Sequence, residues 1–169
     1  MKKLLLLLIL VFAVQISAQQ RNAGAKNRTP IPAAKSISGK ITQFLEKETG
    51  YTKIADNIWS ITYKGKSLAR FDVIVTNGPG TDLVIIMVII AKKKELRLNQ
   101  DSLYEILKFN DFADYVKAGI DESDGDLFLR AEISGRLMDL QEFQTVLEQV
   151  AAASDQLHGK ISSSLLSTP

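Results

Sequence analysis

Along this chain the apolar positions change their period several times, and the longest uninterrupted run sets the frame. Residues 83 to 91 read Leu-Val-Ile-Ile-Met-Val-Ile-Ile-Ala, without a polar side chain among them. A helix that spans a bilayer needs about 20 such residues, so this run is too short to cross one. It is rich in Val and Ile, follows the loop Asn77-Gly78-Pro79-Gly80, and stops at Lys92-Lys93-Lys94. The pattern predicts a central strand that is apolar on both faces, so that each face calls for a cover.

Two alternating segments precede it. Trp59-Ser60-Ile61-Thr62-Tyr63 is one; in the other, Phe71, Val73 and Val75 alternate with Arg70, Asp72 and Ile74. Each predicts a strand, and the short connections (Lys64-Gly65-Lys66 is the first) make the three an antiparallel meander. Upstream, Ile37, Ile41, Phe44 and Leu45 recur at helical spacing after Ser36, with Gly50 placed to end that helix. Downstream, Ser102 followed by Glu105 reads as a capping box for a helix within residues 99 to 112. Leu103, Ile106, Leu107 and Asn110 form its expected inward stripe. Residues 115 to 120 predict a short strand, and Asp124-Gly125 is the kind of pair that closes a two-residue hairpin. Leu127, Leu129, Ala131 and Ile133 then alternate with Phe128, Arg130 and Glu132. Asp139 and Glu142 open a last helix with the stripe Leu140, Phe143, Val146, Leu147, Val150 and Leu157, ended by Gly159. The predicted class is α+β: an antiparallel five-stranded sheet with three helices, in the order α-β-β-β-α-β-β-α. This domain covers residues 36 to 158, and residues 159 to 169 are expected to be a disordered tail.

The N-terminal region follows a different logic. Met1-Lys2-Lys3, the apolar residues 4 to 14 and the site Ile16-Ser17-Ala18 predict a signal peptide over residues 1 to 18, cleaved before Gln19. The competing reading is an uncleaved anchor, against which the short apolar run and Gln15 argue. The expected product is periplasmic or secreted, with no stable membrane anchor after cleavage. The chain has no Cys, which removes both disulfides and a lipid-bearing thiol. Residues 19 to 35 carry Arg21, Lys26, Arg28 and Lys35 without an acid and read as a flexible basic linker. The formal charge of +2 therefore hides an acidic body, with 14 basic against 19 acidic residues between Ser36 and His158. Phosphate binding needs a clustered basic face, so nucleic acid is an unsuitable partner.

Candidate chemistry is sparse. Asp121-Glu122-Ser123-Asp124-Gly125-Asp126 resembles a calcium loop, but aligning Gly125 with the glycine position puts Ile120 and Ala131 where ligands belong. His158 is the single histidine, and no Gly-x-Ser-x-Gly surrounds a serine. One His and no Cys make zinc unsuitable as well. The Gly-rich loop at 77 to 80 lacks the Lys-Ser/Thr of a phosphate-binding loop, and Trp59 reads as a core anchor. No catalytic residue, metal or cofactor is expected. The informative feature is apolar surplus. Phe109 and Phe112 fall about 120–180° from the Leu103/Leu107 stripe, and Tyr104 about 100° to its other side. Ile74 and Phe128 point away from the face bearing Val73 and Leu129. Tyr104, Phe109, Phe112, Ile74 and Phe128 are thus the expected partner or dimer surface, unless the first helix crosses to cover the far face. The expected function is an exported binding module that buries an apolar segment of a protein partner or a second copy, most simply as a homodimer. A hydrolase using carboxylates such as Asp72 or Asp82, and a carrier of an apolar ligand, are the alternatives.

The element order resembles the type III secretion chaperone-like fold, and the sequence resembles the YbjN family of small bacterial proteins, which are linked to sensory transduction. The resemblance runs from about Ser36 to His158. It rests on Trp59, the Phe71/Val73/Val75 strand, the central strand, Leu103–Leu107 with Asn110, Asp124-Gly125-Asp126-Leu127 and Phe143. It implies a non-enzymatic chaperone-like protein that works as a dimer and takes extended or helical client segments on apolar grooves.

Overall fold

The computed structural model describes residues 36–47 and 50–165. The expected signal peptide and basic linker lie outside them. The described elements are α1 (Ile37–Leu45), β1 (Tyr51–Ala55), β2 (Ile58–Tyr63), β3 (Phe71–Asn77), β4 (Leu83–Ala91), α2 (Gln100–Phe112), β5 (Lys117–Ile120), β6 (Leu127–Ser134) and α3 (Leu140–Ile161). The strands form one antiparallel sheet in the order β1-β2-β3-β4-β6-β5.

The apolar run is β4, and it lies inside the sheet between β3 and β6. Its two faces have different fates. Val84, Ile86, Val88 and Ile90 are buried, while Leu83, Ile85, Met87 and Ile89 are only half-buried. Register carries the buried set across the sheet: Trp59 pairs with Val75, Val75 with Ile86 and Ile86 with Ala131. On these residues lie the inner faces of the helices, among them Phe143, Val146, Leu147, Val150 and Leu157 of α3 and Ile41 and Leu45 of α1. Phe44 of α1 meets the Phe143 ring at 5.6 Å, and Lys40 donates to the carbonyls of Gly135 and Arg136. The first helix therefore stays on the α3 side and does not cross to the far face. About 25 cal/mol per Å² of apolar burial drives this one-sided layering.

The sheet has six strands rather than five. The added one, β1, is an edge strand with Thr52 and Lys53 exposed, so its apolar alternation is weak. Asp56-Asn57 closes it onto β2, with Asn57 at φ 60°, a conformation that Asn tolerates better than most residues. Helix α1 ends at Leu45, short of Gly50.

Three further expectations are corrected. The α2 cap is three residues earlier: Asn99 Oδ1 accepts from the Ser102 amide at 2.9 Å, and Ser102 Oγ accepts from the Asn99 amide at 2.8 Å. The β5–β6 connection spans residues 121 to 126 instead of two residues. It closes through Asp121 N–H to the Asp126 carbonyl at 2.8 Å, with Gly125 at φ 76°. Helix α3 continues through Gly159 to Ile161, and a 3₁₀ turn follows at Ser162–Ser164. Ile161 and Ser164 are buried, and Arg97 N–H donates to the Ser164 carbonyl at 2.7 Å, so this segment is fastened to the body.

Candidate functional site

Helix α2 is where sequence and structure differ most usefully. The side chains it buries are Ser102, Ile106 and Phe109, not the Leu103/Leu107 pair. Asn110 fixes this rotation. Its side chain donates to the Ala118 carbonyl at 3.0 Å and accepts from the Ala118 amide at 2.7 Å, occupying one residue's hydrogen-bonding groups on the β5 edge strand. Phe109 is 4% exposed and belongs to the core, so its place on the expected partner surface is corrected. Phe112 and Tyr104 are on the outside, 85% and 62% exposed.

The rotation leaves Leu103 and Leu107 wet as well. Seven large hydrophobic side chains are exposed among the described residues: Leu103, Tyr104, Leu107, Phe112, Tyr115, Ile120 and Leu137. All but Leu137 belong to α2, the turn after it, or the strand β5 packed beside it. Single exposed hydrophobics are ordinary, but six in eighteen consecutive residues are a patch, and patches mark contact sites. Sequence reasoning had Tyr104 and Phe112 but missed Leu103, Leu107, Tyr115 and Ile120. The signal was present as an excess of apolar residues all around α2, more than one buried arc can hold.

The far face of the sheet is a second apolar surface. Ile74 pairs with Met87, and Ile89 with Phe128. These residues and Ile85 are half-buried and stand apart from the core cluster. The Phe128 ring lies over Gly119, where a Cβ would come within 2.7 Å of it, and Arg130 stands 5.2 Å from the ring centroid on its way to Glu132 at 2.9 Å. Ile74 and Phe128 are thus brought together on one face, while Tyr104 and Phe112 are on a helix against the opposite layer.

The candidate carboxylates take part in fastening the fold. Asp72 accepts from Thr62 Oγ1 at 2.7 Å. Asp82 accepts from Ser134 Oγ at 2.6 Å, the Arg136 amide at 2.7 Å and Arg136 Nε at 3.0 Å; these bonds, the one from Ser134 foremost, hold its carboxyl below the usual range. In the acidic loop, Asp121 accepts from Ser123, Asp124 from the Asp126 amide, and Asp126 pairs with Lys92. Among the described residues no cluster of His, Cys, Asp and Glu has the geometry to hold a metal.

A hydroxyl, an imidazole and a carboxylate do meet at the end of α3. Ser67 Oγ is 2.8 Å from His158 Nδ1. Asp155 accepts from the amides of Lys66, Ser67 and Leu68 at 3.0, 2.7 and 2.7 Å, which lowers its pKa. Burial lowers that of His158, against the pull of Asp155. In an acyl-transfer triad the carboxylate orients the imidazole and free amides receive the oxyanion. Here the carboxylate spends its oxygens on three loop amides, so the arrangement clamps the β2–β3 loop to α3. Between α2 and α3 lies an open cleft of about 310 Å³ lined by Lys108, Phe109, Phe112, Gln156 and Lys160. Glu105 joins its two lysines, at 2.5 Å to Lys108 and 3.7 Å to Lys160. Its volume is at the bottom of the range for small-molecule sites.

No family model and no curated protein matches the chain. Solved structures do match its fold. A structure of the Yersinia pestis type III secretion chaperone SycH with a stable fragment of YscM2 aligns at 14% identity and a TM-score of 0.53, over 72% of this chain and 99% of that one. The HopA1–SchA chaperone–effector complex aligns at 10% identity and 0.56, over 77% and 99%. YbjN from E. coli aligns at 10% identity and 0.50, over 73% and 89%. The fold is that of type III secretion chaperones and YbjN.

Proposed function

We propose that this protein is an exported, non-enzymatic binding module that shelters an apolar segment of a protein partner. The observation that carries the reading is the collection of exposed Leu103, Tyr104, Leu107, Phe112, Tyr115 and Ile120 on α2, the turn after it and β5. A buried Leu or Phe is worth roughly 1.5–3 kcal/mol, so covering even three of these would support a specific complex. The solved structures with this fold include chaperones held in complexes with other proteins, which supports the same reading. A second copy is the other occupant such a surface accepts, giving a homodimer. Export rests on the Lys2-Lys3 start, the apolar run and Ile16-Ser17-Ala18.

Leu103→Ser with Leu107→Ser tests the surface. The variant should melt within a few degrees of wild type and lose the protein that co-purifies with wild type from the native host. Sedimentation equilibrium of both proteins separates a foreign partner from a second copy. A variant that retains its partner and its mass would remove the proposal. Mass spectrometry of the native protein should find a chain beginning at Gln19; an intact Met1 would refute export with cleavage.

A further inference from the structure

We propose that the α2 ridge selects a positively charged amphipathic segment of its partner, an inference that rests on α2 being a docking surface. At about 100° per residue, Leu103, Leu107, Asp111 and Tyr104 fall within a single arc of about 100°. The ridge thus runs from apolar to acidic along one side of the helix. Leu103 and Leu107 lie at the spacing of two successive helical anchors, and Asp111 follows one turn later.

The charges around this ridge are unequal in availability. Lys108 is bound to Glu105 at 2.5 Å and lies 5.2 Å from the Tyr104 ring centroid. Lys117 donates to the carbonyls of Asn110 and Ala113 at 2.7 and 2.5 Å, capping the end of α2. Lys160 of α3 reaches Glu105 at 3.7 Å, so all three nearby cations are engaged. Asp101, Asp111 and Asp114 have no ion-pair partner among the described residues. Asp101 sits in the first turn, where the helix dipole favours an acid. Asp111 is in the last turn and Asp114 just beyond it, beside the negative end of that dipole, where an acid is unfavourable. Lys117 caps that end through carbonyls and forms no ion pair with either Asp, so both match a cation supplied from outside. An occupant with two apolar anchors and a Lys or Arg about one turn away would cover the ridge and neutralise Asp111.

The test uses the intact chain and two labelled helical peptides of about 14 residues, one built of Leu and Lys, the other of Leu and Glu. Fluorescence anisotropy should show the Lys peptide binding at least about tenfold more tightly than the Glu peptide, with affinity falling as salt rises. Asp111→Asn and Asp114→Asn should each weaken it about two- to fivefold at low salt. Leu103→Ser with Leu107→Ser should abolish it, and Glu46→Gln, just after α1, should change nothing. Thermal unfolding confirms that each variant is folded. Equal binding of the two peptides, or Asp variants that bind as wild type does, would overturn the inference. Asp variants that keep the native partner while the Leu variants lose it would leave the docking surface standing and remove only its charge preference. Self-association lost in the Leu variants and undisturbed by the Lys peptide would assign the ridge to a second copy and overturn the inference as well.

Discussion

Phe109 and Phe112 are three residues apart on one helix, and the structure gives them opposite fates. Phe109→Ala removes a ring that is 4% exposed; Phe112→Ala removes one that is 85% exposed. Truncating a buried Phe costs about 3–5 kcal/mol. Phe109 borders the open cleft of about 310 Å³, where water can follow the missing ring, so the lower end applies, about 3 kcal/mol. A domain of this size has about 5–15 kcal/mol in total, so the loss is a large share of it. Phe112→Ala should change stability by no more than about 0.5 kcal/mol. Urea unfolding followed by far-ultraviolet circular dichroism reads both, with the slope checked for constancy so that midpoints can be compared. The variants should differ by about 2.5 kcal/mol, the difference between these two figures. Equal losses, or a greater loss at Phe112, would show that α2 is rotated differently and that the exposed ridge is misassigned.

Three other substitutions probe the frame. Ile86→Asp puts a carboxylate at a fully buried position of β4 with no cation in register, and should leave no cooperative thermal transition. Asp155→Ala deprives three loop amides of their acceptor, so the amides of Lys66, Ser67 and Leu68 should exchange at least about tenfold faster. Gly65→Ala, whose Cβ would come within 2.2 Å of Asp155 Oδ1, should open the same loop; unchanged exchange in both would refute the clamp. The pH dependence has a defined sign. His158 is held below its ordinary value of 6.5 by burial, so the folded chain binds fewer protons there than the unfolded one. Stability is then full above about 6.5 and declines as pH falls through that value, and His158→Gln should flatten this part of the melting-temperature profile. Asp82 and Asp155, held below 3.8, contribute at neutral pH and lose their contribution only in stronger acid.

Legibility followed burial. The β4 run, the β3 and β6 alternations and the Asp139 cap with its Phe143 stripe were readable because each signal is local and redundant. Strand β1 was not, because an edge strand half in water needs little apolar alternation. The rotation of α2 was misjudged because Leu, Ile, Tyr and Phe surround the helix, and periodicity cannot choose among several apolar arcs. The choice is made by Asn110 gripping Ala118, a contact between elements that no spacing records. Likewise Gly159 looked like a helix terminus, yet Ile161 beyond it finds a buried site and carries the helix past it. The surplus on Ile74 and Phe128 was visible because alternation fixes which face a strand residue takes, and a helix has no such binary rule.

Residue-resolved hydrogen exchange on the chain in complex with its co-purified partner would show whether α2 and β5 present a protein-docking surface. Slowed exchange is expected at residues 103 to 112 and 117 to 120, with α1 unchanged. Protection confined to β1 or α1, with α2 exchanging as in the free chain, would contradict it.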